Sequence, residues 1–322
     1  MPVVSDYPFA TWRLLRSTPA DGATNMAVDE AILRAVAAGQ VPPTLRFYAW
    51  EPAGLSLGRG QTLADVDLQA VQAAGFGLVR RPTGGKGILH ADELTYSVIA
   101  PQAEPRVAGG IVESYRRLSA GLARGLERLG IADLAADRQT PPPLAGGVRG
   151  EQSPSLAEEA GGKQSPPLAG RAGGGQSPPL VGGVGGGKGP ICFEVPSDYE
   201  ITAGGRKLVG SAQMRARGVV LQHGALPLCG DITRICPLLA AHPDPARVRA
   251  RATTVEEALG PFGSAQGKRP VTWNEAADAL AAGFAEALNL HFEPGTLTGD
   301  ERAWADELRA RKYATDEWTR RV

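Results

Sequence analysis

The chain has 322 residues, with 34 basic and 34 acidic side chains and a formal net charge of zero. That length can hold one large domain or two small ones, and the balanced charge argues against a dedicated nucleic-acid binder, whose footprint is a basic excess. No run of about eighteen apolar residues occurs and the first residues lack the basic-then-apolar order of a signal peptide, so the expectation is a soluble, cytoplasmic protein without a membrane partner.

Residues 11–17 alternate well enough to open the fold as a strand. Residues 22–37 predict a helix, with Met26, Ile32, Leu33 and Val36 near helical spacing, and Asn25, Met26 and Asp29 near its start read as N-terminal capping and core packing. Residues 44–50 are aromatic and β-prone. Residues 54–58 lead into Gly58-Arg59-Gly60-Gln61, which alone reads as an ordinary hairpin turn. Residues 68–74 predict a short helix, and 77–81 a strand that delivers the next turn.

That turn begins the stretch on which the chain is organised, from Arg80 to Ser97: Arg-Arg-Pro-Thr-Gly-Gly-Lys-Gly-Ile-Leu-His-Ala-Asp-Glu-Leu-Thr-Tyr-Ser. Two adjacent arginines precede glycines whose missing side chains let backbone N–H groups approach a ligand's oxygens, a combination suited to an acidic or strongly polar head group. Residues 87–89 and 94–99 read as short strands that hold the turn rigidly between sheet elements.

Ile111, Tyr115, Leu118, Leu122, Leu126 and Leu129 follow spacings of three and four, which predicts an amphipathic helix over 110–129 with Tyr115 in the core. From about residue 140 to 189 the composition changes to Gly, Pro and Ser, and Gln164-Ser-Pro-Pro-Leu-Ala-Gly170 recurs as Gln176-Ser-Pro-Pro-Leu-Val-Gly182. Too little apolar surface is available there to offset ordering entropy, so the expectation is a disordered insertion into a permissive loop, with a polyproline-type ligand or partner-recruiting scaffold as the alternative. A second, smaller insertion of this sort is read at residues 263–268.

Residues 191–194, 199–202, 206–215 and 219–227 read as successive strands, with Ala203-Gly204-Gly205 and Ala216-Arg217-Gly218 as hairpin turns. Two capping boxes follow, Thr272 with Glu275 and Thr298 with Glu301. The first opens a helix with Ala276, Leu280, Phe284 and Leu288 on one face, and the second a helix carrying Trp304 and Leu308. His291 is placed in the connection between them.

Three cysteines occur, Cys192, Cys229 and Cys236, without CxxC spacing or a His-rich neighbourhood, which predicts neither a disulfide framework nor a metal site. Ile191-Cys192-Phe193 alone would be the edge of a core strand around a small buried thiol. A lysine on a neighbouring strand, Lys207, would favour the thiolate, and thiolate plus lysine suffices for thioester exchange. His90 and His223 supply a rival Cys-His dyad. Cys229 and Cys236 lack such a context and are read as structural.

Several blocks together resemble the lipoate/biotin protein ligase superfamily: Arg80-Arg81-Pro82-Thr83-Gly84-Gly85 followed by His90, Gly58-Arg59-Gly60-Gln61, and Gly205-Arg206-Lys207 with Gly210-Ser211-Ala212. The context Cys192-Phe193 with Pro196-Ser197 and Tyr199-Glu200 is most similar to its octanoyltransferase branch. The resemblance implies an α+β fold, a mixed and mostly antiparallel sheet flanked by helices. It implies a catalytic domain over residues 1–260, interrupted at 140–189, with a helical extension over 270–322 packed on it. It implies Cys192 as nucleophile with Lys207 depressing its pKa, and a substrate pocket of Arg80, Arg81, Thr83, Gly84, Gly85, Lys86, His90, Gly210, Ser211, Ala212 and His223. The helix over 22–37 would then lie beside an acyl tunnel.

The activity so implied is transfer of an octanoyl group from acyl carrier protein to a lysine of a lipoyl domain, such as glycine cleavage H protein. It would use no cofactor and no metal, in a monomer. The alternatives are an ATP-dependent lipoate-protein ligase, which would add ATP and Mg, and a lipoyl-domain amidotransferase.

Overall fold

The computed structural model describes residues 7–135, 201–260 and 270–321. In chain order the elements are β1 (Ala10–Arg16), α1 (Gly22–Ala37), β2 (Thr44–Tyr48), β3 (Gly54–Leu57), α2 (Leu68–Ala73), β4 (Gly77–Arg80), β5 (Ile88–His90), β6 (Glu93–Pro101), α3 (Ile111–Arg128), β7 (Leu134–Ala135), β8 (Ile201–Ala203), β9 (Arg206–Ala216), β10 (Val219–Pro227), α4 (Pro245–Arg249), α5 (Val255–Ala258), α6 (Trp273–Leu288), β11 (Leu290–Pro294), α7 (Gly299–Leu308) and α8 (Asp316–Thr319). The predicted strands at 191–194, Cys192 and the segments 140–189 and 263–268 lie outside the described residues.

Among the described residues, eight strands form one sheet in the order β11-β1-β2-β6-β10-β9-β8-β7. β1 pairs in parallel with both β11 and β2, and every other neighbour is antiparallel. A second sheet of three strands, β4-β3-β5, is built from the residues on either side of the glycine turn. The architecture is the mixed α+β one.

Side chains alternate across β6 and β10 and so divide the core into two layers. Ile99 and Leu221 pack on the α1 side, with Met26, Ile32 and Val36. Leu94, Tyr96, Val98, Val220 and Leu226 pack on the other side, with Leu118 and Leu122 of α3 and Leu280 and Phe284 of α6. The two helices of that layer lie close because small residues face each other. A Cβ added at Gly283 would fall 2.2 Å from the Gly125 nitrogen.

Both predicted capping boxes form, Thr272 with Glu275 and Thr298 with Glu301. Arg217 and Gly218, and likewise Gly204 and Gly205, take positive φ at the predicted hairpin turns. His291 lies in the connection between α6 and α7, as expected, on β11, where it pairs with Thr11 as part of a parallel edge strand. Two expectations are corrected. Tyr115 is half-buried, since α3 turns Ser114, Leu118, Gly121, Leu122 and Gly125 inward to meet α6. Gly58-Arg59-Gly60-Gln61 is no hairpin, because the chain leaving β3 turns through it towards α2, and β3 pairs with β4 and β5 instead. Among the described residues no helix is long and apolar enough to cross a membrane.

Candidate active site

The predicted glycine turn is held by the two arginines that precede it. Arg80 is fully buried at the end of β4, and its Nη1 donates to the carbonyls of Gly58 at 2.8 Å, Gln61 at 2.6 Å and Arg59 at 3.3 Å. Arg81 donates through Nη2 to the Gly84 and Lys86 carbonyls, both at 2.8 Å, and through Nη1 to the Ser56 carbonyl and hydroxyl, both at 3.1 Å. The arginine pair read as suited to a ligand's acidic head therefore spends these donors on loop carbonyls, because main-chain oxygens leaving two turns must be satisfied once buried. The turns touch closely. A Cβ at Gly58 would stand 1.9 Å from the Gly85 carbonyl oxygen, and Gly85 itself has φ of 95°.

Thr83 ties this loop to the main sheet. Its Oγ1 lies 2.7 Å from His223 Nε2 on β10, and His223 Nδ1 lies 3.1 Å from Asp29 Oδ2 on α1. Asp29 also accepts from Arg46 Nη1 at 2.7 Å, from Ser97 Oγ at 2.9 Å and from Tyr48 Oη at 3.0 Å. Burial alone would raise the Asp29 carboxyl, but the Arg46 charge and the bonds from His223 and Arg46 outweigh it and hold it below the usual aspartate range. Burial pushes His223 down against the pull of Asp29, helped by the Arg81 and His90 charges, so the imidazole is neutral. An ionised Asp29 only accepts, so Nδ1 carries the proton, Nε2 is the acceptor and Thr83 donates its hydroxyl.

Asn25 and Asp29 are thus not capping residues. Asp21 caps α1 by accepting from the Thr24 amide at 2.6 Å, whereas Asn25 Oδ1 accepts from Arg46 Nη2 at 2.9 Å. The signal available was a polar pair four apart, Asn25 and Asp29, in register with apolar Ile32 and Val36.

His90 lies on β5, with Nδ1 2.8 Å from Glu93 Oε1 and Nε2 2.8 Å from Ser56 Oγ. Its ring stacks on Trp50 with centroids 3.8 Å apart, and Trp50 Nε1 donates to Thr95 Oγ1 at 3.0 Å, while Thr95 donates in turn to Glu93. Bonds at both ring nitrogens and the stack on Trp50 fix the imidazole in place beside the loop. Ser56 and Trp50 were not singled out in the sequence, since neither carries a signal until the fold brings it to His90.

Gly210, Ser211 and Ala212 of β9 face Ala225, Gly224 and His223 of β10 across the ladder. Ser211 Oγ lies 2.7 Å from Tyr96 Oη, which burial pushes up to about 12 and so keeps protonated. Lys207 begins the same strand. It is fully buried, its amide donates to the Arg251 carbonyl at 2.8 Å, and its carbonyl accepts from Thr253 at 2.9 Å. Burial and the Asp92 and Glu256 charges push the Cys229 thiol up, the wrong direction for a nucleophile, and Cys236 is buried.

The structure thus brings Arg81, Thr83, Gly84, Gly85, Lys86, His90, Ala212 and His223 into one bonded assembly and sets Gly210, Ser211 and Lys207 along one strand beside it. At its open edge the amides of Gly84, Gly85 and Lys86 have no acceptor among the described residues. Consecutive free N–H groups on a turn held rigid from below are suited to a carbonyl oxygen that gains negative charge.

The catalytic-domain model of lipoyl protein ligases A and B matches residues 21–152 and 177–285. This chain belongs to that family. The match pauses inside the glycine- and proline-rich segment and covers every loop and strand of the assembly above. Octanoyltransferase LipM of Symbiobacterium thermophilum is 42% identical over 317 residues, covering 96% of this chain and 98% of the relative. Octanoyltransferase LipM of Kyrpidia tusciae is 41% identical, covering 97% and 99%, and that of Staphylococcus aureus is 34% identical, covering 96% and 98%. The fold is shared with lipoate-protein ligase A bound with ATP, at TM-score 0.69 and 24% identity over 97% of this chain and 99% of that one. It is shared also with the bi-partite lipoate protein ligase of Thermoplasma acidophilum, at TM-score 0.67 and 23% identity over 96% of each chain.

Proposed function

We propose that this chain is an octanoyltransferase that moves an octanoyl group from acyl carrier protein to a lysine of a lipoyl domain, through a thioester on Cys192. The observation that carries the reading is the match to octanoyltransferases over nearly the whole of both chains, at 34% to 42% identity. Fold similarity to ligases at 24% identity speaks to architecture alone.

In the first half-reaction the Cys192 thiolate attacks the carbonyl carbon of the octanoyl thioester. The carbonyl electrons move to oxygen, the amides of Gly84, Gly85 and Lys86 stabilise the oxyanion, and the carrier's thiolate leaves as the carbonyl re-forms. In the second, the neutral amine of the acceptor lysine attacks the acyl-enzyme, gives up through solvent the proton that the carrier's thiolate takes, and expels the Cys192 thiolate, leaving an amide. Lys207 favours the thiolate at both ends of the cycle. Thioester to thioester to amide runs downhill, so no nucleotide and no metal is needed. The acceptor is a lipoyl domain such as glycine cleavage H protein, and the enzyme works as a cytoplasmic monomer.

The test is transfer of octanoate from octanoyl acyl carrier protein to a lipoyl domain with ATP absent. Octanoylated acceptor is the expected product. Acylation of the acceptor only when ATP and a free acid are supplied would overturn the reading in favour of the ligase.

A further inference from the structure

Positive charge gathers around Arg80. Trp318 Nε1 donates to the Arg80 carbonyl at 2.8 Å, and Arg80 Nε donates to the Thr319 carbonyl at 3.1 Å, so the segment after α7 and the glycine loop hold each other at both ends of one residue. The Arg321 guanidinium lies 3.5 Å over the Trp318 ring. Arg59 stands in the turn that Arg80 holds, where its carbonyl accepts from Arg80 and its amide donates to the Thr83 carbonyl at 2.8 Å. Two arginines from distant parts of the chain are therefore anchored to the same buried arginine.

Neither has an acidic partner among the described residues. Lys312 beside them is answered by Glu30 at 2.5 Å, but the exposed Arg59 makes no side-chain bond among the described residues, and the buried Nε of Arg321 and Nη2 of Arg80 have no acceptor there. Burial and the Arg59 charge together push the Arg321 guanidinium down, as burial and the Arg321 charge do to Arg80. Uncompensated repulsion next to buried, unsatisfied donors runs against stability and is retained where an anion completes the set. Stacking on Trp318 fixes the plane of one guanidinium while leaving its edge to bond, which suits the tetrahedral oxygens of a phosphate better than a single carboxylate.

Resting on the octanoyltransferase reading, we propose that Arg59 and Arg321 bind the phosphodiester of the donor's phosphopantetheine arm at the rim of the glycine loop. The acyl carrier protein presents its thioester on that arm, so its phosphate is the anion that accompanies every donor into the site. Arg321 lies beyond the residues the family model matches.

The experiment compares octanoyl-phosphopantetheine with octanoyl-pantetheine as donors to the full chain, following acyl-enzyme formation by intact mass. The wild type should favour the phosphorylated donor through a lower KM. Arg59→Gln and Arg321→Gln should each shrink that preference about tenfold, as expected for one charge-assisted contact, and Arg321→Lys should restore part of it. Equal use of both donors by the wild type would overturn the site while leaving the transferase intact. So would variants that lose both donors alike, because that outcome reports a structural role. Acylation from neither donor, nor from octanoyl acyl carrier protein, would overturn the transferase reading itself.

Discussion

Thr83 and His223 stand 140 residues apart and meet with Oγ1 and Nε2 2.7 Å from each other. The bond joins the glycine turn, which belongs to the small sheet, to a central strand of the large one, and through His223 to Asp29 on α1. Its worth can be read by removing the donor alone. Thr83→Val leaves a buried histidine nitrogen unsatisfied, which costs about 1–3 kcal/mol in urea unfolding. Thr83→Ser keeps the hydroxyl and loses one methyl, about 0.8 kcal/mol. Equal unfolding free energies for Thr83→Val and the wild type would contradict the assigned bond.

Asp29 and Arg46 form the buried ion pair behind that link, with side-chain exposures of 0% and 1%. Asp29→Asn keeps the shape and strands a buried guanidinium, so the expected loss is about 3–5 kcal/mol. Asp278 pairs with Arg16 at a surface where its side chain is 67% exposed, and Asp278→Asn should cost no more than about 1 kcal/mol. Denaturant titrations of the two variants side by side check the contrast.

The same groups set the acid limb of stability. His223 is held below its ordinary value of 6.5, so the unfolded chain takes up this proton first. The stability His223 contributes is complete above pH 6.5 and is lost as pH falls towards its folded value. Asp29 is held below its ordinary 3.8, and its contribution is lost below that pH. Unfolding free energy should therefore begin to fall below about pH 6.5, with a slope of up to about 1.4 kcal/mol per pH unit from one group. His223→Gln should lack that first step. A wild type whose stability is flat from pH 7 down to about pH 4 would contradict it.

Gly58 and Gly60 make a matched pair in one turn. A side chain at Gly58 must displace the Gly85 carbonyl, whereas nothing lies within 4 Å of a Cβ at Gly60. Gly58→Ala should fold and lose acyl transfer by about 100-fold, the scale of a catalytic group misplaced by about 1 Å. Gly60→Ala should fall within about twofold of the wild type, because its added methyl meets no atom that the loop depends on. Rates measured on both variants, with circular dichroism as the folding control, decide it.

Much of this was readable in the chain. Local periodicity located α1, α3 and the β9–β10 hairpin within a residue or two, and the Thr-x-x-Glu spacing marked the starts of α6 and α7, because those signals are carried by neighbours in sequence. Arg80 through His90 stood out as a loop, since charge, glycine and strand residues coincide there. What was not legible is what the loop leans on. Arg80 meets Thr319 across 239 positions and His223 meets Asp29 across 194, and no local pattern encodes such pairs. Asp29 passed for a capping residue because acids near a helix start usually are. The strand β11 between α6 and α7 was not read, because five residues on a sheet edge carry no alternation to read.

The most direct measurement is intact-mass analysis of the purified protein incubated with octanoyl acyl carrier protein and no ATP, run beside Cys192→Ala. An octanoyl adduct that hydroxylamine removes and that Cys192→Ala lacks is the predicted result. An adduct of equal yield on Cys192→Ala, or none on the wild type while an acceptor is acylated only with ATP and free acid, would contradict transfer through Cys192.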